Sequence, residues 1–90
     1  MSENSEPSRA VRLPDGIDLH ARPAGALVRA ASAYQSAITL SAGDRCANAK
    51  SILQVLALGA TGGTEVAVAA SGSDASEALE AISGLLATLS

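Results

Sequence analysis

The sequence predicts an α+β fold, an open-faced β-sandwich of order β-α-β-β-α-β-α with helices packed on one face of a four-stranded antiparallel sheet. Two observations predict it. Short period-two runs at Val11/Leu13, Ile38/Leu40 and Val66/Val68/Ala70 read as strands, and segments with apolar residues at helical spacing lie between and after them. Two long amphipathic helices laid on one side of a small sheet would bury both of their apolar stripes. Ninety residues, 48% of them hydrophobic but with Tyr34 as the one aromatic, supply a single modest core of Ala, Val, Ile and Leu.

The elements follow in order. Residues 1–8, MSENSEPS, are polar and acidic and read as a disordered lead-in, leaving residues 9–90 as the domain. The first strand is expected over Arg9 to Leu13, ended by Pro14, Asp15 and Gly16. From Ala21 onward, Ala24, Leu27, Val28 and Ala31 form a helical stripe. Pro23 is tolerated there because its missing N–H falls in the first turn, where no intrahelical acceptor exists. His20 is thereby placed at or beside the N-cap. Ile38 and Leu40 mark a second strand, and Ser41-Ala42-Gly43-Asp44 turns the chain into a third around Arg45 to Ala47. The lone Cys46 is expected there as a small buried hydrophobe.

Ser51 to Leu58 is apolar at Ile52, Leu53, Val55, Leu56 and Leu58, which is too continuous for an ordinary surface helix. A short helix stopped at Gly59 can turn only part of that run inward. Alternation within Thr64 to Ser71 gives the last strand. A final helix opens at Ser73 or Asp74, with Asp74 and Glu77 spaced as a capping box and Ala75, Leu79, Ile82, Leu86 and Leu89 on one face.

Composition also excludes. Six Lys and Arg against nine Asp and Glu leave a net charge of −3, which does not suit a protein held by many phosphate contacts; no nucleic-acid partner is expected. One cysteine forms no internal disulfide, no signal peptide is apparent, and no run approaches the roughly 18–20 apolar residues of a membrane span. A monomeric, cytoplasmic domain without membrane insertion is therefore expected. There is no phosphate loop or dinucleotide fingerprint, and Asp15, Asp18 and His20 beside Arg22 make a poor cation site. Neither a metal nor a cofactor is expected.

The single histidine carries whatever nucleophilic chemistry the chain has. In Leu19-His20-Ala21-Arg22-Pro23-Ala24 it stands where the first free helical N–H groups emerge, those of Ala21 and Arg22. The Arg22 guanidinium lies in the same turn. A phosphoryl group on the imidazole would find donors in both amides and in Arg22, with the helix terminus adding about 0.3–1 kcal/mol if exposed. Phosphoryl transfer needs positioning and charge balance more than further acid or base groups, so one histidine suffices. A capping or surface histidine with no chemical role is the alternative.

At these residues the chain resembles the HPr family, the histidine-containing phosphocarriers of the phosphoenolpyruvate-dependent sugar phosphotransferase system. Leu19-His20-Ala21-Arg22-Pro23-Ala24 is similar to the family's phosphorylation-site signature. Asn48-Ala49-Lys50-Ser51-Ile52-Leu53, running on to Leu58-Gly59, resembles its serine-centred motif. The resemblance extends from about Arg9 to the C-terminus. It implies that His20 accepts a phosphoryl group through Nδ1 from phospho-enzyme I and hands it to sugar-specific enzyme IIA domains, with Arg22 steadying the phosphate. The protein would then be a stoichiometric transfer intermediate rather than a turnover catalyst.

The resemblance further implies a regulatory phosphorylation site at Ser51 for an HPr kinase, although a serine there equally serves as a helix N-cap. It makes Ile52, Leu53 and Leu56 a docking face with Arg22, Arg29 and Lys50 at its rim; the plain alternative is that the three apolar residues fill the core. Two other outputs stay open. One is a regulatory module of the same fold that binds a transcriptional regulator under control of Ser51, and the other a carrier for a dihydroxyacetone or nitrogen-regulatory branch. The sequence departs from the family pattern at one place: Gly16 is followed by Ile17 and Asp18 before Leu19, a two-residue insertion. Asp18 could oppose phosphate at His20, face solvent or cap the loop.

Overall fold

The computed structural model describes residues 7–89 and contains seven elements. They are β1 (Ser8–Arg12), α1 (Ala21–Ser32), β2 (Ala37–Ala42), β3 (Arg45–Asn48), α2 (Ile52–Leu58), β4 (Glu65–Ser71) and α3 (Ala75–Ala87). β1 starts at Ser8, which pairs with Ala69, one residue before the expected start; residues 1–6 of the expected lead-in lie outside the described residues. The sheet order is β1-β4-β2-β3 with every pair antiparallel. The expected open-faced sandwich is therefore the observed one.

Alternation decides which residues face the helices. Val11, Ile38, Leu40, Ala47, Val66, Val68 and Ala70 are buried on one side of the sheet, while their strand neighbours remain largely accessible on the other. α1 contributes Pro23, Ala24, Leu27 and Ala31 to that side, α2 contributes Val55 and Leu58, and α3 contributes Ala78, Leu79, Ile82 and Leu86. Cys46 is exposed, contrary to the expectation of a buried thiol. On β3 the inward position belongs to Ala47, so its neighbour Cys46 faces away from the helices on an uncovered sheet face.

Asp74 is the N-cap residue of α3 but makes no side-chain cap bond, which corrects the expected capping box with Glu77. Its carboxylate is used elsewhere. It accepts from the Gln35 N–H (3.0 Å), the Ser36 N–H (2.9 Å) and the Ser36 hydroxyl, while the Ser36 Oγ accepts the Asp74 N–H (3.2 Å). The donors of this α1–β2 turn outcompete the single donor a capping box would offer. Gly72 permits the approach: its φ is +143°, and a Cβ there would lie 2.7 Å from the Ser36 Oγ and 2.8 Å from the Ser36 Cα.

The Ser36 hydroxyl, followed by the Gln35 N–H, holds the Asp74 carboxyl below the ordinary carboxylate range. A carboxyl with a depressed folded-state pKa contributes stability that is present above the unfolded value, near pH 4, and is lost as pH falls through the folded one. Asp74→Ala should accordingly lower Tm at pH 7 and lower it much less at pH 2.5, as measured by circular dichroism melts. Gly72→Ala, with both strain and a clash at Ser36, should cost about 1–3 kcal/mol in urea unfolding.

Candidate functional site

α1 begins where the chain, after β1, crosses from the sheet edge onto its covered face. His20 is the N-cap, with extended backbone (φ −105°, ψ −161°), and its carbonyl accepts the Ala24 N–H at 2.9 Å to close the first turn. The three residues between are Ala21, Arg22 and Pro23, and a proline has no N–H. The terminus thus presents two amide donors without intrahelical acceptors, those of Ala21 and Arg22. Helix N-termini ordinarily carry a capping side chain or an acid in the first turn. Here the His20 side chain makes no cap bond and the first turn holds no acidic residue but the cation Arg22.

His20 and Arg22 are both exposed, whereas their neighbours Leu19, Pro23 and Ala24 are buried. Leu19, 3% exposed, anchors the residue before the histidine in the core, and Pro23 does so three residues later. The His20 side chain therefore projects to solvent from backbone fixed on both sides. Among the described residues, Asp15, Asp18 and His20 do not assemble into a metal-binding cluster. No helix there is long and apolar enough to cross a membrane.

The second motif forms a tight corner. The Ser51 Oγ accepts the Gln54 N–H (3.3 Å) as N-cap of α2, the Gln54 Oε1 accepts the Asn48 N–H (2.8 Å), and the Asn48 Oδ1 accepts the Lys50 N–H (2.9 Å). The Lys50 Nζ donates to the Tyr34 carbonyl (2.7 Å), so this half-buried cation also ties the corner to the end of α1. Arg22 and Arg29, seven residues apart and hence on one face of α1, are both exposed. Arg29 occupies the last turn, where a cation also suits the helix terminus.

α2 divides as its period requires. Val55 and Leu58 point into the core, while Ile52, Leu53 and Leu56 are 38%, 76% and 37% exposed and are, among the described residues, the large apolar side chains left open to solvent. α1 packs beside α2, and the Leu19 N–H donates to the Ala60 carbonyl (2.9 Å) just beyond α2's end. The apolar patch and His20 consequently lie on adjoining parts of one surface. The expectation at Asp18 resolves as well: its Oδ1 accepts the Gly62 N–H at 2.9 Å, in the α2–β4 connection. Nothing around Asp18 in the sequence points to this partner, which lies 44 residues further along the chain beside a second glycine, Gly63.

Fold and site define a small α+β protein with one exposed histidine at an uncapped helix terminus, beside an apolar patch. Residues 7–88 match the family model PTS-HPr, described as the PTS HPr component phosphorylation site. A phosphocarrier protein HPr of Haemophilus influenzae is 37% identical over 82 residues, which span 91% of this chain and 96% of that protein. The HPr of Mycoplasma capricolum is 43% identical over 60 residues, 67% of each chain. The crystal structure of HPr from Bacillus anthracis superposes with a TM-score of 0.87 at 31% identity, covering 92% of this chain and 99% of that one. The chain belongs to the HPr family, the phosphocarriers of the phosphotransferase system.

The division of α2 yields a direct check. Leu58→Ala should cost about 2–5 kcal/mol by urea unfolding, whereas Leu53→Ala should stay within about 0.5 kcal/mol of the parent. Ser51→Ala, which removes the cap, should cost about 0.5–2 kcal/mol.

Proposed function

We propose that His20 accepts a phosphoryl group from phospho-enzyme I and passes it to enzyme IIA domains of the sugar phosphotransferase system. The observation that carries this reading is the N-terminus of α1: a solvent-facing histidine at the N-cap, two free amides behind it and Arg22 where an acid is usual. An unprotonated imidazole nitrogen, which the family resemblance gives as Nδ1, donates its lone pair to phosphorus. The P–N bond forms as the donor's bond to phosphorus breaks and that bond's electron pair returns to the donor. Hand-off to the acceptor reverses these roles on His20.

The Ala21 and Arg22 amides, with the Arg22 guanidinium, supply hydrogen-bond donors for the phosphoryl oxygens. They draw no proton and leave the P–N bond intact, which suits a group that must leave again. The exposed Ile52, Leu53 and Leu56, with Arg22 and Arg29 nearby, provide the apolar centre and cationic rim that a docking protein with an acidic surround would meet. Lys50 contributes there mainly by holding the α1–α2 corner through Tyr34.

Incubation with enzyme I, Mg²⁺ and ³²P-labelled phosphoenolpyruvate tests the assignment. Wild type should acquire acid-labile label and folded His20→Ala should acquire none; label persisting on His20→Ala contradicts the site, and an unlabelled wild type contradicts the carrier reading. Arg22→Ala should retain the fold and slow transfer about tenfold, equivalent to roughly 1.4 kcal/mol in the barrier. Leu53→Glu should weaken enzyme I binding in calorimetry without a fall in Tm, because the side chain it replaces is already in solvent.

A further inference from the structure

Residues 13–20, which link β1 to α1, contain no helix or strand and rely for their shape on what they touch. They lie along the α2–β4 connection. The Leu13 N–H donates to the Thr64 carbonyl, the Gly63 N–H to the Leu13 carbonyl and the Leu19 N–H to the Ala60 carbonyl, each at 2.9 Å. These are backbone bonds that many sequences could make. The fourth is not: the Gly62 N–H donates to the Asp18 Oδ1, also at 2.9 Å. The two segments are in direct backbone contact at this point, because a Cβ on Gly62 would lie 2.6 Å from the Gly16 nitrogen, 2.8 Å from the Pro14 oxygen and 2.9 Å from the Ile17 nitrogen.

Asp18 is bonded in the other direction too. Its carbonyl accepts the His20 N–H at 2.9 Å. One residue thus grips the neighbouring connection with its side chain and the histidine's backbone with its main chain, and the residue between, Leu19, is sunk in the core. We propose that Asp18 is a positioning residue for phosphoryl transfer at His20: its carboxylate, anchored on the Gly62 N–H, fixes the backbone from which the imidazole leaves the helix terminus. The role rests on the reading of His20 as phosphoryl acceptor. It also assigns Gly62 a function, since any larger residue would push the two segments apart. The anchored carboxylate has part of its charge offset by an N–H donor. This limits the penalty of carrying an acid two residues from a site that must hold phosphate.

The test compares wild type, Asp18→Ala and Asp18→Asn in single-turnover phosphorylation by phospho-enzyme I, at a temperature where all three are folded by circular dichroism. Misplacing a nucleophile lowers the saturating rate, whereas lost docking raises the half-saturating concentration. Asp18→Ala should lower the saturating rate about tenfold while the half-saturating enzyme I concentration moves less than about threefold. Asn, whose Oδ1 can accept the same Gly62 N–H, should restore the rate to within about threefold of wild type. Equal saturating rates for Asp18→Ala and wild type overturn the positioning role and leave the carrier reading standing. An Asn variant as slow as Ala overturns it as well, since charge rather than the anchoring bond would then be at work. Failure of wild type to accept any label on His20 overturns the carrier reading itself.

Discussion

A four-stranded sheet with all its helices on one side must send alternate residues of every strand into a single core. In this chain those residues are mostly Val, Ile, Leu and Ala. The small side chains let the helices come close, and Ala24, Ala31, Ala49 and Ala78 are fully buried at these junctions. The same one-sidedness governs what is left outside. It puts Cys46 on the open face and gives α2 only its Val55 and Leu58 side to bury. It also forces the chain to pass from the edge strand β1 onto the covered face through a loop that must be braced by another loop.

The site is a consequence of that crossing. α1 has to start at the rim of the layer, where Leu19 and Pro23 reach the core and the residue between them that caps the helix faces solvent. Most proteins complete such a terminus with a Ser, Thr, Asp or Asn side chain. Here the cap is an imidazole that makes no bond to its own helix, followed by an arginine and by a proline that has no N–H to offer. The terminus leaves the Ala21 and Arg22 amides without intrahelical acceptors, and Arg22 is exposed in the same turn. For the proposed transfer at His20, the requirement is backbone held still on either side of one side chain.

Much of this was legible in the sequence because it depends on local period and local chemistry. The alternation of Val66, Val68 and Ala70, the stripe from Ala24 to Ala31, and the surplus of apolar residues in α2 each correspond to what the structure buries or exposes. His20 at the N-cap and Ser51 capping α2 were legible for the same reason. What escaped was decided by partners distant in the chain. Asp74 has the spacing of a capping box, yet its carboxylate bonds Gln35 and Ser36, and nothing in its own neighbourhood announces that. Asp18 bonds Gly62 across a separation of 44 residues, so only the packed loops reveal which of its alternatives is realised. Cys46 required knowing which of two adjacent residues on a short edge strand faces the helices.

The central claim is that the terminus of α1 holds a phosphoryl group on His20 by its backbone. NMR of uniformly ¹⁵N-labelled protein before and after phosphorylation measures this most directly. A through-bond ³¹P–¹⁵N coupling should appear on the His20 imidazole, and the Ala21 and Arg22 amide protons should move downfield as they take up the phosphoryl oxygens. A coupling assigned to any other residue would contradict the account. So would a phosphorylated His20 that leaves both amide resonances where they were.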